Sequence, residues 1–282
     1  MQFHNPRAEV YIPDGTAVDK ALSRTTHLSV AAHQDDIEIM AYHGILECFG
    51  RDDKHFTGVT VTNGSGSPRD GLYAHYTDDQ MQVVRRLEQK KAAFVGEFSA
   101  HVFLDYSSGA VKDPASPHVV EDLKKLISAM KPQVIYTHNL ADKHDTHVAV
   151  TLRLIRALRE LPPDSRPAHV YGCEVWRNLD WLNDEDKVVF NVEAHENIAM
   201  SLVGVFDSQI AGGKRYDLAT MGRRRANATY FASHGVDESQ ALIYGLDLTP
   251  LIQDEKLDVG QYVQGFIDRF KSEISSRIAK LA

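Results

Sequence analysis

Apolar residues fall into short, buried-type runs that alternate with longer stretches of three- and four-residue spacing. Residues 1–24, broken by Pro6, Pro13 and Gly15, read as an irregular lead-in. Leu28-Ser29-Val30-Ala31-Ala32 then predicts a buried strand that ends in His33-Gln34-Asp35-Asp36. From there Ile37, Met40, Ala41, Gly44 and Ile45 recur at helical spacing. A β-branched run over 56–62 predicts a second strand, and 63–76, rich in Gly, Ser and Tyr, a long loop. Thr77-Asp78-Asp79 opens a helix whose pattern over 81–95 stops at Gly96. A third strand is predicted over 102–104, a helix over 117–130 and a fourth strand over 133–137. A polar loop over 138–146 leads into a helix over 148–161, with Leu154, Ile155, Leu158 and Leu161 on one face.

That is strand–helix four times over, which predicts an α/β fold: a doubly wound, mostly parallel sheet of order 3-2-1-4-5 with helices on both faces. After Pro162-Pro163 a fifth strand is expected over 168–176 and another over 187–192. Helices are expected over 198–206, 216–231 and 259–281. We read residues 1–282 as one domain with a core over 25–176 and a C-terminal α/β extension over 177–282.

Composition narrows the class. Of 282 residues, 43% are hydrophobic and 25% charged, close to globular averages, so a packed core is expected. A net charge of −8 lacks the basic field of a general nucleic-acid binder. No stretch approaches the ~18 consecutive apolar residues of a membrane span. Met1 to Pro6 has the layout of neither a secretory signal nor a transit peptide. Cys48 and Cys173 suggest no disulfide framework and no thiolate metal site, so a cytoplasmic setting is expected. Fourteen histidines direct attention to a metal site built from nitrogen and oxygen.

Two clusters hold the informative histidines. In His33-Gln34-Asp35-Asp36, helix capping accounts for the aspartates but not for a histidine closing an apolar strand. In Asp142-Lys143-His144-Asp145-Thr146-His147, capping accounts for Asp145 or Thr146 but not for two histidines three residues apart, on one face of a first helical turn. In the order 3-2-1-4-5, strands one and four are neighbours where the winding reverses, and ligands bind outside the carboxyl ends of strands at such a point. The two clusters therefore share one crevice.

His33, Asp36 and His147 make a His₂–carboxylate set with open positions, the catalytic type of zinc site, with Fe²⁺, Co²⁺ or Ni²⁺ as other candidates. Asp35, adjacent but pointing elsewhere, is the candidate general base for a water activated by the metal. His144 is the candidate group to stabilise an oxyanion or donate a proton. Asp142 is its candidate partner, orienting His144 and favouring its protonated form.

These motifs resemble the PIG-L/LmbE family of zinc-dependent N-acetylglucosaminyl deacetylases. Ala32-His33-Gln34-Asp35-Asp36 matches the family's AHPDD with Gln for Pro, and Asp142-Lys143-His144-Asp145-Thr146-His147 matches its D-x-H-x-D-H pattern. Arg85 and Glu88, with Ala92 and Gly96, resemble the family's R-x-x-E-x-x-x-A-x-x-x-G helix, and Asp207-Ser208-Gln209 echoes a later segment. The resemblance covers about 25–176. It implies a Rossmann-like fold and removal of an acetyl group from an N-acetylglucosamine-type amide. It also implies His33, Asp36 and His147 as ligands, Asp35 as base, His144 as oxyanion stabiliser and Arg85 as a substrate contact. Two departures bear on substrate choice: Thr146 stands where many members have Asp, and Ser107-Ser108-Gly109 where Pro-Asp-Gly is common.

Rival uses of such a fold fit less well. His33-x-Asp35 with a distant histidine fits the facial triad of non-haem iron oxygenases, with Asp35 as ligand, but those are antiparallel barrels. A dinucleotide site needs G-x-G-x-x-G where strand one meets His-Gln-Asp-Asp. Gly212-Gly213-Lys214 lacks the flanking residues of a P-loop, and no G-x-S-x-G elbow is present. Retention of a metal without catalysis gives no reason for Asp35. The open alternatives are a metal-dependent amidase on a non-sugar conjugate and a hydratase using the same site. Tyr73, His75, Tyr76, Trp176 and Trp181 are candidates to line a sugar, and Arg223-Arg224-Arg225 reads as a solvated or salt-bridged helix face. The expected partner is a small N-acetylated sugar or glycoconjugate, with no nucleic acid and no membrane span, and a homo-oligomer is left open.

Overall fold

The computed structural model describes residues 1–282. Its strands are β1 (Glu9–Tyr11), β2 (His27–Ala31), β3 (Phe56–Thr62), β4 (Ala100–Tyr106), β5 (Val134–His138), β6 (His169–Cys173), β7 (Val188–Asn191) and β8 (Leu242–Asp247). They form one sheet of order β1-β4-β3-β2-β5-β6-β8-β7. The middle five, β4-β3-β2-β5-β6, run parallel and reproduce the expected 3-2-1-4-5 order. Both edges are antiparallel: β1 on β4, and β8 on β6 with β7 beyond it.

Alternation along the strands assigns the two faces. Leu28, Val30, Val59, Val61 and Ile135 enter one core with Leu123 and Ile127 of the His118–Met130 helix and Leu154 and Leu158 of the Asp145–Arg159 helix. Ala31, Phe56 and Tyr136 point the other way, against Ile45 of the Tyr42–Cys48 helix, Ala92 of the Asp78–Val95 helix and Leu202 of the Glu196–Gly204 helix. Covered on both faces, β2, β3 and β4 are buried at every residue, as central parallel strands are. No helix is long and apolar enough to cross a membrane.

Three features depart from the expected pattern. β1 lies inside the lead-in, and β8 lies in a stretch with no expected strand; both are antiparallel additions to the edges. The helix expected from Ile37 is two helices, Asp36–Met40 and Tyr42–Cys48, broken at Ala41 (φ −112°, ψ 20°). Arg224 explains the break. It is not on a solvated face but buried, its Nη2 donating to the carbonyls of Glu38 at 2.8 Å and Ile39 at 3.3 Å. Its guanidinium lies 4.7 Å from the Tyr42 ring centre. Only Arg225 keeps the salt-bridged surface role, with Glu196.

Candidate metal centre

At the carboxyl ends of β2 and β5 the winding reverses, and both histidine clusters open from these two strands. After β2 the chain turns through Asp35 in the left-handed region (φ 87°), a conformation that Asp tolerates better than most residues. This turn aims Asp36 back: the His33 backbone N–H donates to Asp36 Oδ2 at 2.7 Å. After β5 the Asp145–Arg159 helix starts early enough to carry His147 on its first turn.

Three donor atoms converge. His33 Nδ1 and His147 Nε2 are 3.2 Å apart. Asp36 Oδ2 lies 3.3 Å from the first and 3.4 Å from the second. Donors at the usual bond length from a tetrahedral zinc are about 3.3 to 3.4 Å from one another, so this triangle fits a divalent metal. Burial alone would push the Asp36 carboxyl up, but the charges of His147, His138 and His33 hold it well below the usual carboxylate range. His147 moves the other way: burial opposes its charge, yet Asp36 and Asp142 raise it.

Asp142 does not orient the His144 ring. Its Oδ1 accepts the His144 backbone N–H at 2.8 Å and stands 3.5 Å from His147 Nδ1, and its Oδ2 accepts the Trp176 N–H at 3.2 Å. The carboxylate thus sits behind His147, the position that fixes a metal-binding histidine's tautomer. Nor does His144 favour its charged form: burial, with His147 and His33 nearby, lowers its pKa. Its ring packs 4.6 Å from that of His147 and edge-on to His33 at 4.9 Å, facing the cleft.

Asp35 is held from the Asp78–Val95 helix. Its N–H donates to Gln89 Oε1 at 3.2 Å, and Arg85 Nη2 donates both to its Oδ2 at 3.2 Å and to the Gln34 carbonyl. Burial pushes Asp35 up to about 8, opposed by Arg85 and reinforced by Asp36. Two adjacent carboxylates are thereby driven apart, one lowered and one raised, which is how paired carboxylates come to hold different roles. Arg85, expected at the substrate, borders the cleft but spends its guanidinium on Asp35, Gln34 and Ser67 Oγ.

Sequence reasoning overlooked His138. It closes the apolar strand β5 as His33 follows β2, so the same signal was present. Its Nε2 accepts the Ala32 N–H at 2.9 Å and its ring stacks on His147 at 3.8 Å. That nitrogen is 3.5 Å from Asp36 Oδ2, but its lone pair is already taken, so His138 braces β5 against β2. Gln34, which replaces the motif's proline, packs on Gly64 (φ 74°), where a Cβ would lie 2.4 Å from Gln34 Oε1. Glu88 accepts from both N–H and Oγ of Ser208, each at 2.7 Å, which joins the helix motif to the Asp207-Ser208-Gln209 segment.

The donors open into a cleft of about 260 Å³, bordered by Ser67, Ser108, Lys112, Thr146 and Gln209 and flanked by Trp176 and Tyr216. Both positions of departure, Thr146 and Ser108, border it. Of the expected sugar-lining residues only Trp176 does so; Tyr73 stacks edge-on with Tyr76 outside it, and Trp181 packs at the core margin.

Residues 28–158 match the family described as PIG-L: GlcNAc-PI de-N-acetylase. No curated relative matches the chain in sequence. Among solved structures the chain is similar to GalB, the 4-carboxy-2-hydroxymuconate hydratase of Pseudomonas putida KT2440. The TM-score is 0.61 at 16% identity, over 80% of this chain and 97% of that one. It is also similar to N,N'-diacetylchitobiose deacetylase of Pyrococcus horikoshii, with TM-score 0.59 and 16% identity over 78% and 83%. A third is the A40926 pseudoaglycone deacetylase Dbv21, with TM-score 0.57 and 16% identity over 79% and 97%. The family match thus spans residues 28–158, just under half of the chain, with further strands and helices on both sides of it.

Proposed function

We propose that this chain is a metal-dependent hydrolase that removes the acetyl group from an N-acetylglucosamine-type sugar or glycoconjugate. The observation that carries the reading is the triangle of His33, Asp36 and His147 donors, 3.2 to 3.4 Å on each side, with Asp35 braced beside it at the foot of a polar cleft. Zinc, or another divalent ion held by these three residues, would acidify a water and polarise the amide carbonyl. Asp35 then accepts a proton from the attacking water. Held beside the triangle by Gln89 and Arg85, it is placed to take the proton in one step and return it to the leaving amine in the next. His144, facing the cleft beside His33, stabilises the oxygen on which negative charge grows. The C–N bond breaks, acetate leaves with the water's oxygen, and the amine leaves with the proton. Arg85 and Gln89 keep Asp35 in its strained turn, and Asp142 keeps His147 aimed.

Acetate release from a panel of N-acetylated sugars, with and without a chelator, tests this directly. Turnover should vanish on metal removal and return with zinc. Asp35→Ala should retain stoichiometric metal by elemental analysis yet lose roughly 10²- to 10⁴-fold in kcat, the usual share of a general base. Turnover unaffected by complete metal removal, or a fully active Asp35→Ala, would overturn the reading. The likeness to a hydratase keeps one second reading in view: water addition to an unsaturated carboxylate with no acetate released.

A further inference from the structure

The cleft has a second lobe. Beside the polar one lies a cavity of about 110 Å³ that shares Asp35, Asp36, Trp176 and Tyr216 with it. Its remaining walls are Ile39, Val175, Ala219, Thr220 and Arg223. Ile39 and Val175 are buried, Thr220 comes from the Tyr216–Tyr230 helix, and Arg223 is fixed by donating to the Val175 carbonyl at 2.7 Å. Amide hydrolysis places an acyl group and an amine on opposite sides of one reacting carbon. The two lobes meet at the aspartates where that carbon would sit, and they differ in character. The larger presents Ser67, Ser108, Lys112 and Gln209, which suit a hydroxylated amine. The smaller is walled mostly by Ile39, Val175, Ala219, Trp176 and Tyr216, and its one guanidinium, Arg223, donates to the Val175 carbonyl, so its apolar part suits a hydrocarbon.

Resting on the hydrolase reading above, we infer that the small lobe is the acyl subsite and that it admits straight acyl groups of up to about four carbons. The lobe is larger than the methyl group of an acetyl requires yet less than half the size of the polar one, and the Tyr216–Tyr230 helix walls it through Ala219, Thr220 and Arg223, so it takes a short chain and stops a long one. Val175, Ala219, Thr220 and Arg223 lie outside the matched segment 28–158, and of the aliphatic wall only Ile39 lies within it, so acyl length is set mainly by the C-terminal part of this chain. Thr220 is the residue that sets it: its side chain is small, it sits in the lobe wall, and its helix is anchored through Arg224 to the Asp36–Met40 helix.

The test is hydrolysis of N-acetyl-, N-propionyl-, N-butyryl- and N-hexanoyl-glucosamine by the metal-loaded protein. Burial of each added methylene should raise kcat/KM roughly fourfold up to butyryl, with hexanoyl at least tenfold below butyryl. In Thr220→Leu the butyryl-to-acetyl ratio of kcat/KM should fall tenfold or more, and that ratio does not depend on how much of the variant folds. Acetyl cleavage with propionyl or butyryl tenfold slower, hexanoyl cleaved as well as butyryl, or an unchanged ratio in Thr220→Leu would each overturn the inference while leaving the deacetylase reading intact. Cleavage of none of the four would overturn that reading, and this inference with it.

Discussion

At the scale of single residues, the site is a set of charges kept apart by what stands behind each. Asp142 touches no donor of the metal triangle, yet it is the carboxylate nearest His147 Nδ1, itself held by two backbone N–H groups. Asp142→Asn should therefore weaken metal binding 10- to 100-fold, the usual effect of removing such a brace, as read by competition with a chromophoric chelator. His144→Ala should leave affinity nearly unchanged and lower turnover, which separates the two residues that sequence spacing had paired. Away from the site, His101 is wholly buried, with Nε2 3.0 Å from Thr60 Oγ1 and no partner for Nδ1. Burial lowers its pKa from 6.5 to about 3. Between those values the unfolded chain binds a proton that the folded chain refuses, so stability rises with pH there: it is complete above pH 6.5 and lost as pH falls toward 3. His101→Gln should flatten the decline in urea midpoint between pH 7 and pH 4.5; parallel wild-type and variant curves would show that other groups govern acid unfolding.

At the scale of elements, the Asp78–Val95 helix does the positioning. It opens with the capping box Thr77–Gln80 and presents Arg85, Glu88, Gln89 and Ala92 on its buried face at three- and four-residue steps. Gln89 accepts from the Asp35 backbone and donates to Glu38 Oε1 at 2.6 Å. Gln89→Leu should cost roughly 10- to 100-fold in kcat through misplacement of Asp35, with metal content intact. Thr77→Ala, at the far end of the same helix, should cost about 1 kcal/mol of stability and leave kcat and metal content alone; equal kcat losses in both would mean that the helix acts only through global stability. This helix was legible down to its starting threonine, because cap, period and terminating glycine all lie within its own residues. The parallel strands were legible for the same reason. The break at Ala41 was not, because it depends on Arg224, far along the chain, reaching the freed carbonyls. β8 carries an apolar run, Leu242-Ile243-Tyr244, but it pairs antiparallel to β6, outside the strand–helix rhythm that located the other central strands. β1, three residues long, is a strand only by virtue of β4.

At the scale of the whole molecule, the donors come from two strand ends and the cleft walls from segments far apart in sequence. That the two clusters meet was readable from winding order alone, and Trp176 was a candidate for the cleft wall; that Tyr216 and Thr220 close over them was not, since nothing local to residues 216–220 points toward residue 36. The consequence is thermodynamic. His33 and Asp36 follow β2 and His147 follows β5, so a divalent ion at the triangle ties together the two strands between which the winding reverses, and it binds the folded chain in preference to the unfolded one. With free metal at about 1,000 times Kd the stabilisation is about 4 kcal/mol. At about 2.1 cal/mol/K of unfolding entropy per residue, a chain of 282 residues gains roughly 7 °C in Tm. Calorimetry with zinc and with a chelator should show a shift of that order. Asp35→Ala should keep it, since Asp35 belongs to no edge of the triangle, whereas His147→Ala should abolish it. A full shift that survives His147→Ala would put the ion elsewhere in the fold and remove the basis for assigning Asp35 the base's role.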